Sequence, residues 1–262
     1  MSNISRVTND ITNRLTVSLF TSLSVLFFSC QQANSAEVVM AFAEEIRPYV
    51  IPTSNSGIEL AVIGESLAYH GHKLIPKYYP LGRLPKAFIA RKVDAAMTDA
   101  GINLSAQGYY AEPTVIYHNR LISLKKRNLK IAKPEDLTGL SVIAFKGADQ
   151  RYPRWLDAVK KEGKYYATSK QNLQVRMLFA GRYDVVLSDR YIFNYYANQL
   201  IDKNQLQAHS IQEHNVFKLN PENYRPIFRN KTIRDDFNEG LNYLKQTGRY
   251  QAIYDYYLTS RK

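Results

Sequence analysis

The sequence predicts an α/β protein built from two related lobes. Segments typical of strands and helices alternate along the chain, which is the pattern of sheets whose strands run largely parallel. Two stretches that lie 90 residues apart share one pattern, FIARKVDAAMTD at Phe88–Asp99 and LFAGRYDVVLSD at Leu178–Asp189. Each passes from a helix end through a basic turn to an aspartate, three apolar strand residues, a hydroxyl residue and a second aspartate. Two copies of one α/β unit would produce this similarity.

The first part of the chain is predicted to contain three strands and two helices. Glu37–Phe42 (EVVMAF) is a run of strand-forming residues, and apolar residues at helical spacing predict a helix over Glu59–Tyr69. Gly71 stands where a glycine typically ends a helix. The other elements are a strand over Lys73–Tyr79, a short helix over Leu84–Arg91 and a strand over Val93–Thr98.

The rest of the chain continues with extended segments and ends in helices. Thr232 and Asp235 have the spacing of a capping box before an apolar helical stripe, and Gly248 separates that helix from a last short one. The preceding elements are an extended segment over Val115–Leu124, a turn at Pro134–Leu137, a buried strand over Leu140–Phe145, a helix over Ile192–Leu200 and an extended piece over His209–Leu219.

The N-terminus indicates export. The 14 residues of Leu15–Phe28 carry no charge and are too few for a membrane span, which needs about 20 residues. Small residues follow and offer cleavage after Ser35 or Ala36. We therefore expect a signal peptide over residues 1–36 and a periplasmic mature protein, with an uncleaved N-terminal anchor as the alternative.

The single cysteine has two interpretations. Cys30 follows a serine, as in bacterial lipoprotein cleavage sites, but phenylalanine stands where leucine is usual. Lipidation at Cys30 would tether the protein to a membrane, whereas cleavage at Ala36 would remove the cysteine, and we favour cleavage. In either case no disulfide can form within the chain, so packing must stabilise the fold.

The charge balance is basic, with 35 Lys+Arg against 23 Asp+Glu and a net charge of +12. Removing residues 1–36 removes two arginines and one aspartate and leaves +11. A basic surplus is typical of nucleic-acid-binding proteins, but an exported protein does not normally meet nucleic acid. The sequence also lacks zinc-ligand spacing and a glycine-rich phosphate loop. We therefore expect a solvated basic face, at stretches such as Lys125–Lys133, and no nucleic-acid partner.

The histidines suggest no metal site. His70 and His72 flank Gly71 at a predicted helix end, where both are expected to be exposed and too close together to act as a ligand pair. We expect neither a metal nor a cofactor.

Six motifs, taken in order, resemble a known family. They are EEIRPYV, GIELAVIGESLAYHG, KVDAAMTD, PEDLTGLSVIAFKG, LFAGRYDVVLSD and IRDDFNEGLNYLKQTGRYQAIYDYY. No single motif is specific, but their order and spacing cover nearly the whole chain after residue 36. Together they resemble the periplasmic solute-binding proteins of the amino-acid ABC-transporter type, family 3.

This resemblance implies the type II periplasmic binding protein fold. In that fold two α/β lobes, joined by two extended crossover segments, close on a ligand held in the cleft between them. The crossovers would lie near Thr114–Leu124 and His209–Asn220. Residues 37–118 and 220–262 would form lobe one, and residues 119–219 would form lobe two with the crossover segments.

The resemblance also implies ligand-contacting residues on lobe one. Tyr49 would place its ring in the cleft, and a core tyrosine is the alternative. Thr98 and Asp99 match positions at which the family offers hydroxyl groups to the ligand. Asp99 departs from that pattern, because a carboxylate there would repel an anionic ligand.

The arginine with which the family binds the α-carboxylate of amino acids is missing from this chain. The segment 100–110, in which it would occur, contains no arginine. Arg83 or Arg120 could replace it, although we favour a surface or hinge role for either. The ligand is therefore expected to be more cationic or neutral than a plain α-amino acid.

On lobe two, the resemblance points to two aspartates. Asp149 lies in the turn Lys146–Asp149, where family members often place threonines against a ligand carboxylate at a helix N-terminus. Capping that helix is the alternative role for Asp149. Asp189 matches the acidic residue that receives the ligand's amino group, and capping the helix that starts at Arg190 is its alternative.

These residues suggest a non-catalytic, monomeric binding protein that delivers a small solute to a membrane transporter. The candidate ligand residues are Tyr49, Arg83, Thr98, Asp99, Asp149 and Asp189. Some relatives in the family resemble cyclic-acid dehydratases, so an enzyme on the same fold is an alternative, and Glu45 or Glu59 could supply its carboxylate. A sensory module that presents its ligand to a receptor is the third possibility.

Overall fold

Two five-stranded sheets organise the chain, of which a computed structural model describes residues 35–97, 103–205, 207–220 and 224–259. The order is β2-β1-β3-β10-β4 in the first sheet and β7-β6-β8-β5-β9 in the second. The strands are β1 (Glu37–Ala43), β2 (Lys73–Tyr79), β3 (Ala95–Met97), β4 (Tyr109–Tyr110), β5 (Asn119–Leu124), β6 (Val142–Phe145), β7 (Tyr165–Thr168), β8 (Val185–Asp189), β9 (Ile211–His214) and β10 (Pro226–Phe228).

The two sheets have the same construction. In the first, β1 runs parallel to β2 and β3, and β10 pairs antiparallel with β3. In the second, β6 runs parallel to β7 and β8, and β5 pairs antiparallel with β8. The similar sequence stretches contribute β3 and β8, which hold equivalent places. The internal sequence similarity therefore reflects two equivalent α/β units.

Two equivalent aspartates explain part of that similarity. Asp94 Oδ2 accepts the backbone N–H of Val39 at 3.0 Å, and Asp184 Oδ2 accepts the backbone N–H of Ser141 at 2.8 Å. Each carboxylate thus connects the turn before its strand, β3 or β8, to the neighbouring strand. The repeated aspartate has a structural role in each unit, because it satisfies a backbone donor at Val39 in β1 or at Ser141 just before β6.

The chain crosses between the sheets twice, and the two crossings lie side by side. They connect β4 to β5 and β9 to β10. The backbone N–H of Ala111 donates to the carbonyl of Pro226 at 2.8 Å, and that of Thr114 donates to the carbonyl of Tyr224 at 3.3 Å. Two adjacent connections of this kind can act as a hinge.

Helices cover the sheets, and one predicted cap is wrong. The capping residue before the long C-terminal helix is Asn230, whose side chain accepts the backbone N–H groups of Thr232 and Ile233, so Thr232 is inside the helix. The helices are α1 (Ile58–Ala68), α2 (Leu84–Ile89), α3 (Ala148–Arg151), α4 (Pro153–Lys161), α5 (Gln171–Phe179), α6 (Arg190–Asp202), α7 (Lys231–Gln246) and α8 (Arg249–Thr259).

Among the described residues, no helix combines the length and apolar character that a membrane crossing requires. Residues 1–34, which include Cys30 and all but the last two residues of the predicted signal peptide, lie outside the described residues.

His72 is buried, so the expectation that both histidines near Gly71 are exposed is wrong. Only 4% of His72 is exposed. Its Nδ1 accepts the backbone N–H of Ala36 at 3.2 Å, which leaves Nε2 to donate to Asp236 at 2.8 Å. The histidine therefore fastens the start of β1 to α7 and has a structural role.

Gly240 permits the close contact between α1 and α7, and we predict that Gly240→Ala is strongly destabilising. A Cβ at position 240 would lie 2.0 Å from the backbone oxygen of Ser66, so the helices would have to separate. Overpacking of this kind lowers the free energy of unfolding by about 3 kcal/mol. Denaturant titration measures the loss. The matched control is Gly64→Ala in α1, where the nearest atom is 3.7 Å away and a gain of about 0.5–1 kcal/mol is expected. Equal effects at both positions would contradict the contact.

Candidate ligand site between the two sheets

Asp189 lies where the second sheet faces the first. It is the last residue of β8, and its Oδ1 accepts the backbone N–H groups of Tyr191 at 2.9 Å and Ile192 at 3.0 Å. The helix-capping role weighed for Asp189 is therefore confirmed. Its Oδ2 accepts the backbone N–H of His118 at 2.5 Å. The carboxylate of Asp189 thus holds the first turn of α6 and the crossover before β5 next to each other.

Tyr49 reaches the same carboxylate from the first sheet. It lies in the loop after β1, is fully buried, and its hydroxyl is 3.4 Å from Asp189 Oδ2. Its ring packs on Tyr117 with centroids 4.3 Å apart, and Tyr117 packs on Tyr224 at 5.0 Å. We call Tyr49, Tyr117 and Tyr224 the tyrosine cluster. Tyr49 therefore lies beside Asp189, and its burial in this conformation is that of a core tyrosine.

The carboxylate of Asp189 carries an uncompensated charge. It is 2% exposed, and burial raises its pKa to about 6, against the opposing effect of the N–H donors of Ile192, His118 and Tyr191 and the Tyr49 hydroxyl. Among the described residues it forms no ion pair. A buried carboxylate that is ionised at neutral pH and lacks a cation favours a positively charged group.

Glu59 is a second buried acid beside the tyrosine cluster. It lies in the first turn of α1 and is 3% exposed. Burial raises its pKa to about 8, although the hydroxyl of Tyr117 donates a hydrogen bond that favours the charged form. Glu59 is therefore neutral at pH 7 and adds no second negative charge.

Other contacts join the two sides of this junction. Arg47 Nη1 donates to the Tyr195 hydroxyl at 3.4 Å, and Arg151 Nη1 donates to the Tyr224 hydroxyl at 3.2 Å. The bond from Arg47 and that between Tyr49 and Asp189, both 3.4 Å, exceed the usual upper limit of about 3.2 Å and are weak. The tyrosine cluster fills the space in front of Asp189, so a solute reaches the carboxylate only when Tyr49 moves or the sheets separate.

The other predicted ligand residues lie apart from this point or outside the described residues. Asp149 is in α3, and its carboxylate pairs with Lys160 at 2.5 Å. The capping position of α3 is Gly147, so the capping role weighed for Asp149 is wrong. Arg83 is exposed before α2. Thr98 and Asp99 lie outside the described residues.

Sequence reasoning missed Tyr117, Tyr224 and the burial of Glu59. Tyr117 and Tyr224 lie in irregular segments, where no apolar periodicity marks a buried side chain. The adjacent bond from Asn119 Nδ2 to the Tyr152 hydroxyl, 2.9 Å long, was missed because it joins residues 33 positions apart, which no local pattern pairs. The sequence contains 20 tyrosines, which indicates that some of them pack together, but it does not indicate which ones are in contact.

A separate surface pocket lies elsewhere. It has a volume of about 610 Å³ between α1, α7 and α8, and its lining includes Glu65, Tyr69, Tyr243 and Arg249. None of its lining residues belongs to the tyrosine cluster or contacts Asp189. The chemistry of the buried carboxylate makes the junction, and not this pocket, the candidate ligand site.

The sequence matches no protein-family model and no curated protein. Solved structures do match. A histidine kinase sensor domain with similarity to periplasmic binding proteins has a TM-score of 0.64 and 19% identity over 85% of this chain and 96% of that one. A probable amino-acid ABC transporter extracellular-binding protein from Bacillus subtilis has a TM-score of 0.65 and 16% identity over 86% and 99%. An ancestral amino acid-binding protein, a precursor of cyclohexadienyl dehydratase, has a TM-score of 0.64 and 16% identity over 85% and 95%. The chain is therefore similar to these proteins in structure and has the type II periplasmic binding protein fold.

Proposed function

We propose that this chain is an extracytoplasmic solute-binding protein that captures a small polar solute, amino-acid-like or amine-bearing, between two lobes. The observation that carries this proposal is Asp189, a buried carboxylate without a cationic partner among the described residues, facing Tyr49 across the junction. A protonated amine fits this position, because charge-assisted hydrogen bonds to a buried carboxylate are roughly twice as strong as neutral ones. The amine replaces the weakly bound Tyr49 hydroxyl.

The lobes are residues 37–118 with 220–262, and residues 119–219. Strand membership supports this division, since β1 to β4 and β10 form one sheet and β5 to β9 form the other. The two crossover segments, paired near Thr114 and Tyr224, serve as the hinge. Solute binding shifts the population toward a closed state in which both lobes contact the solute.

The protein works in the periplasm as a monomer and delivers its solute to an ABC-transporter permease without altering it. Support comes from the apolar N-terminal segment Leu15–Phe28 and from the fold shared with an extracellular-binding protein of the amino-acid ABC-transporter type. A sensory, ligand-presenting module is the second candidate, favoured by the structural similarity to a histidine kinase sensor domain. A permease gene or a receptor gene beside this one would separate the two.

A thermal-shift screen of the mature chain tests the proposal. The panel contains amino acids, polyamines, sugars and small organic acids at pH 7.5. An amine-bearing compound at 100 times its Kd is expected to raise the free energy of unfolding by about 2.7 kcal/mol. The recovered compound should be chemically unchanged after prolonged incubation. A screen in which only compounds without an amino group bind would contradict the proposal, and turnover would favour an enzyme.

A further inference from the structure

The basic surplus of this chain is concentrated in the second sheet and its connections. Residues 119–219 contain 18 Lys+Arg against 9 Asp+Glu, whereas residues 37–118 and 220–262 together contain 15 against 13. The net charges of the two parts are therefore +9 and +2. A surplus of one sign on one part of a protein creates a field that attracts a partner of opposite charge.

One edge of the second sheet points away from Asp189. In the β5–β8 pair, Asp189 is at one end and Val185 is at the other. Val142 and Tyr165, the first residues of β6 and β7, are level with Val185. The three parallel strands β6, β7 and β8 therefore begin, and the antiparallel strand β5 ends, at the edge opposite to Asp189.

The connections at this edge contact one another. We call them the basal surface, which consists of residues 125–141, 160–164 and 180–184. Arg127 Nη2 and Asp184 Oδ1 form an ion pair at 2.5 Å, which joins the first connection to the third. The backbone N–H of Gly139 donates to Glu162 Oε2 at 3.0 Å, which joins the first connection to the second. The three connections thus form one continuous surface.

The basal surface is strongly basic, with nine Lys and Arg against four Asp and Glu. Three of these acids already have partners within the surface, namely Asp136, Glu162 and Asp184. Exposed lysines that form no ion pair with a described acid include Lys125, Lys126, Lys130 and Lys161. Their ammonium groups are therefore available to a partner.

The arrangement suits a plane of negative charges better than a single anion. Four neighbouring strands, about 4.8 Å apart, spread the basal surface over roughly 14 Å. Lysine carries a flexible point charge, whereas recognition of one carboxylate or phosphate typically uses the rigid fork of an arginine. Segments rich in lysine and arginine are attracted to membranes that contain anionic lipids. A protein exported as its N-terminus indicates meets such a membrane and does not normally meet nucleic acid.

We propose that the basal surface binds the anionic phospholipid surface of a membrane through its exposed lysines. This contact goes beyond the capture of a solute and concentrates the protein at the membrane. Because Asp189 lies at the opposite end of the same strands, the contact does not cover the candidate ligand site. It is reversible and weakens with salt, because exposed charges make it.

Flotation of the mature chain with lipid vesicles tests this proposal. The mature chain is used because Leu15–Phe28 would itself bind lipid. In about 0.1 M salt the protein should float with phosphatidylcholine vesicles in which about a third of the lipid is phosphatidylglycerol, and not with pure phosphatidylcholine vesicles. Raising the salt to about 0.5 M should release it, because the range of the charge interaction then falls to a few ångströms.

Two triple variants locate the contact. Lys125→Gln, Lys126→Gln and Lys161→Gln together should lower the partition coefficient roughly 100-fold, because each lysine at such a surface contributes about fivefold. The matched control removes the same charge from exposed lysines outside the second sheet: Lys77→Gln, Lys86→Gln and Lys92→Gln. It should bind like the wild type. Both variants should keep the wild-type Tm, because every substituted side chain is exposed.

Three results would overturn the membrane contact. They are equal flotation with both kinds of vesicle, no flotation with either kind, and equal binding by the two triple variants. A wild type that binds a short DNA duplex but neither kind of vesicle would make the basal surface a nucleic-acid surface instead. Failure of the proposed solute binding is distinguishable, because the thermal-shift screen measures it without vesicles.

Discussion

At pH 8, Glu59→Gln is expected to exceed the wild type in free energy of unfolding by on the order of 4 kcal/mol. Burial raises the pKa of Glu59 from its ordinary 4.5 to about 8, so the folded protein holds this proton more tightly than the unfolded chain does. The contribution of Glu59 to the free energy of unfolding is therefore largest below pH 4.5. It decreases as the pH rises from 4.5 to 8 and does not change further above pH 8. Glutamine keeps an acceptor for the Tyr117 hydroxyl and cannot ionise.

Urea titrations of the wild type and the variant between pH 4 and pH 9 measure this difference. Glu135→Gln, at an exposed glutamate in the second half of the chain, is the matched control and should follow the wild-type profile. The raised pKa of Asp189 predicts that some fall in stability remains in Glu59→Gln as the pH rises from 3.8 to 6. If wild type and Glu59→Gln had parallel profiles up to pH 9, Glu59 would be solvated in the folded protein and the description of the junction would be wrong.

The architecture could be predicted because its signals are local. The alternation of strands and helices and the repeated stretches that contain Asp94 and Asp184 are visible in the sequence, and both correspond to structure. Lys73–Tyr79 is a strand with the predicted bounds. The start of α6 at Arg190, capped by Asp189, had been weighed from the sequence, whereas the cap of α7 is Asn230 and not Thr232.

The interior of the candidate site could not be predicted, because distant segments build it. Tyr49, Tyr117, Asp189 and Tyr224 are separated by up to 175 residues and come from a loop, a strand end and the two crossovers. Their approach depends on how two sheets face each other, which no local pattern encodes. The family resemblance led to Asp189 and Tyr49 but not to the direct contact between them. Burial of Glu59 could not be predicted either, because its contacts, such as the hydrogen bond from Tyr117, come from distant segments.

Binding of an amine-bearing solute is expected to weaken by about tenfold for each pH unit below 6. Without solute the pKa of Asp189 is about 6, raised chiefly by burial. Above pH 6 the carboxylate is ionised and attracts the ammonium group. Below pH 6 it is protonated, and binding must first expel the proton. A change from pH 7 to pH 4 should therefore reduce affinity roughly 100-fold, since the amine stays charged throughout.

Calorimetric titration of Asp189→Asn with the strongest amine-bearing compound of the screen tests the central claim most directly. Asparagine still caps α6, so the helix remains while the charge is lost. At pH 7.5 we predict an affinity roughly 10- to 100-fold below that of the wild type, with no dependence on pH between 4 and 7. Asp157→Asn, at an exposed aspartate of α4, should bind like the wild type. If Asp189→Asn kept the wild-type affinity and pH profile, the solute would not bind at Asp189.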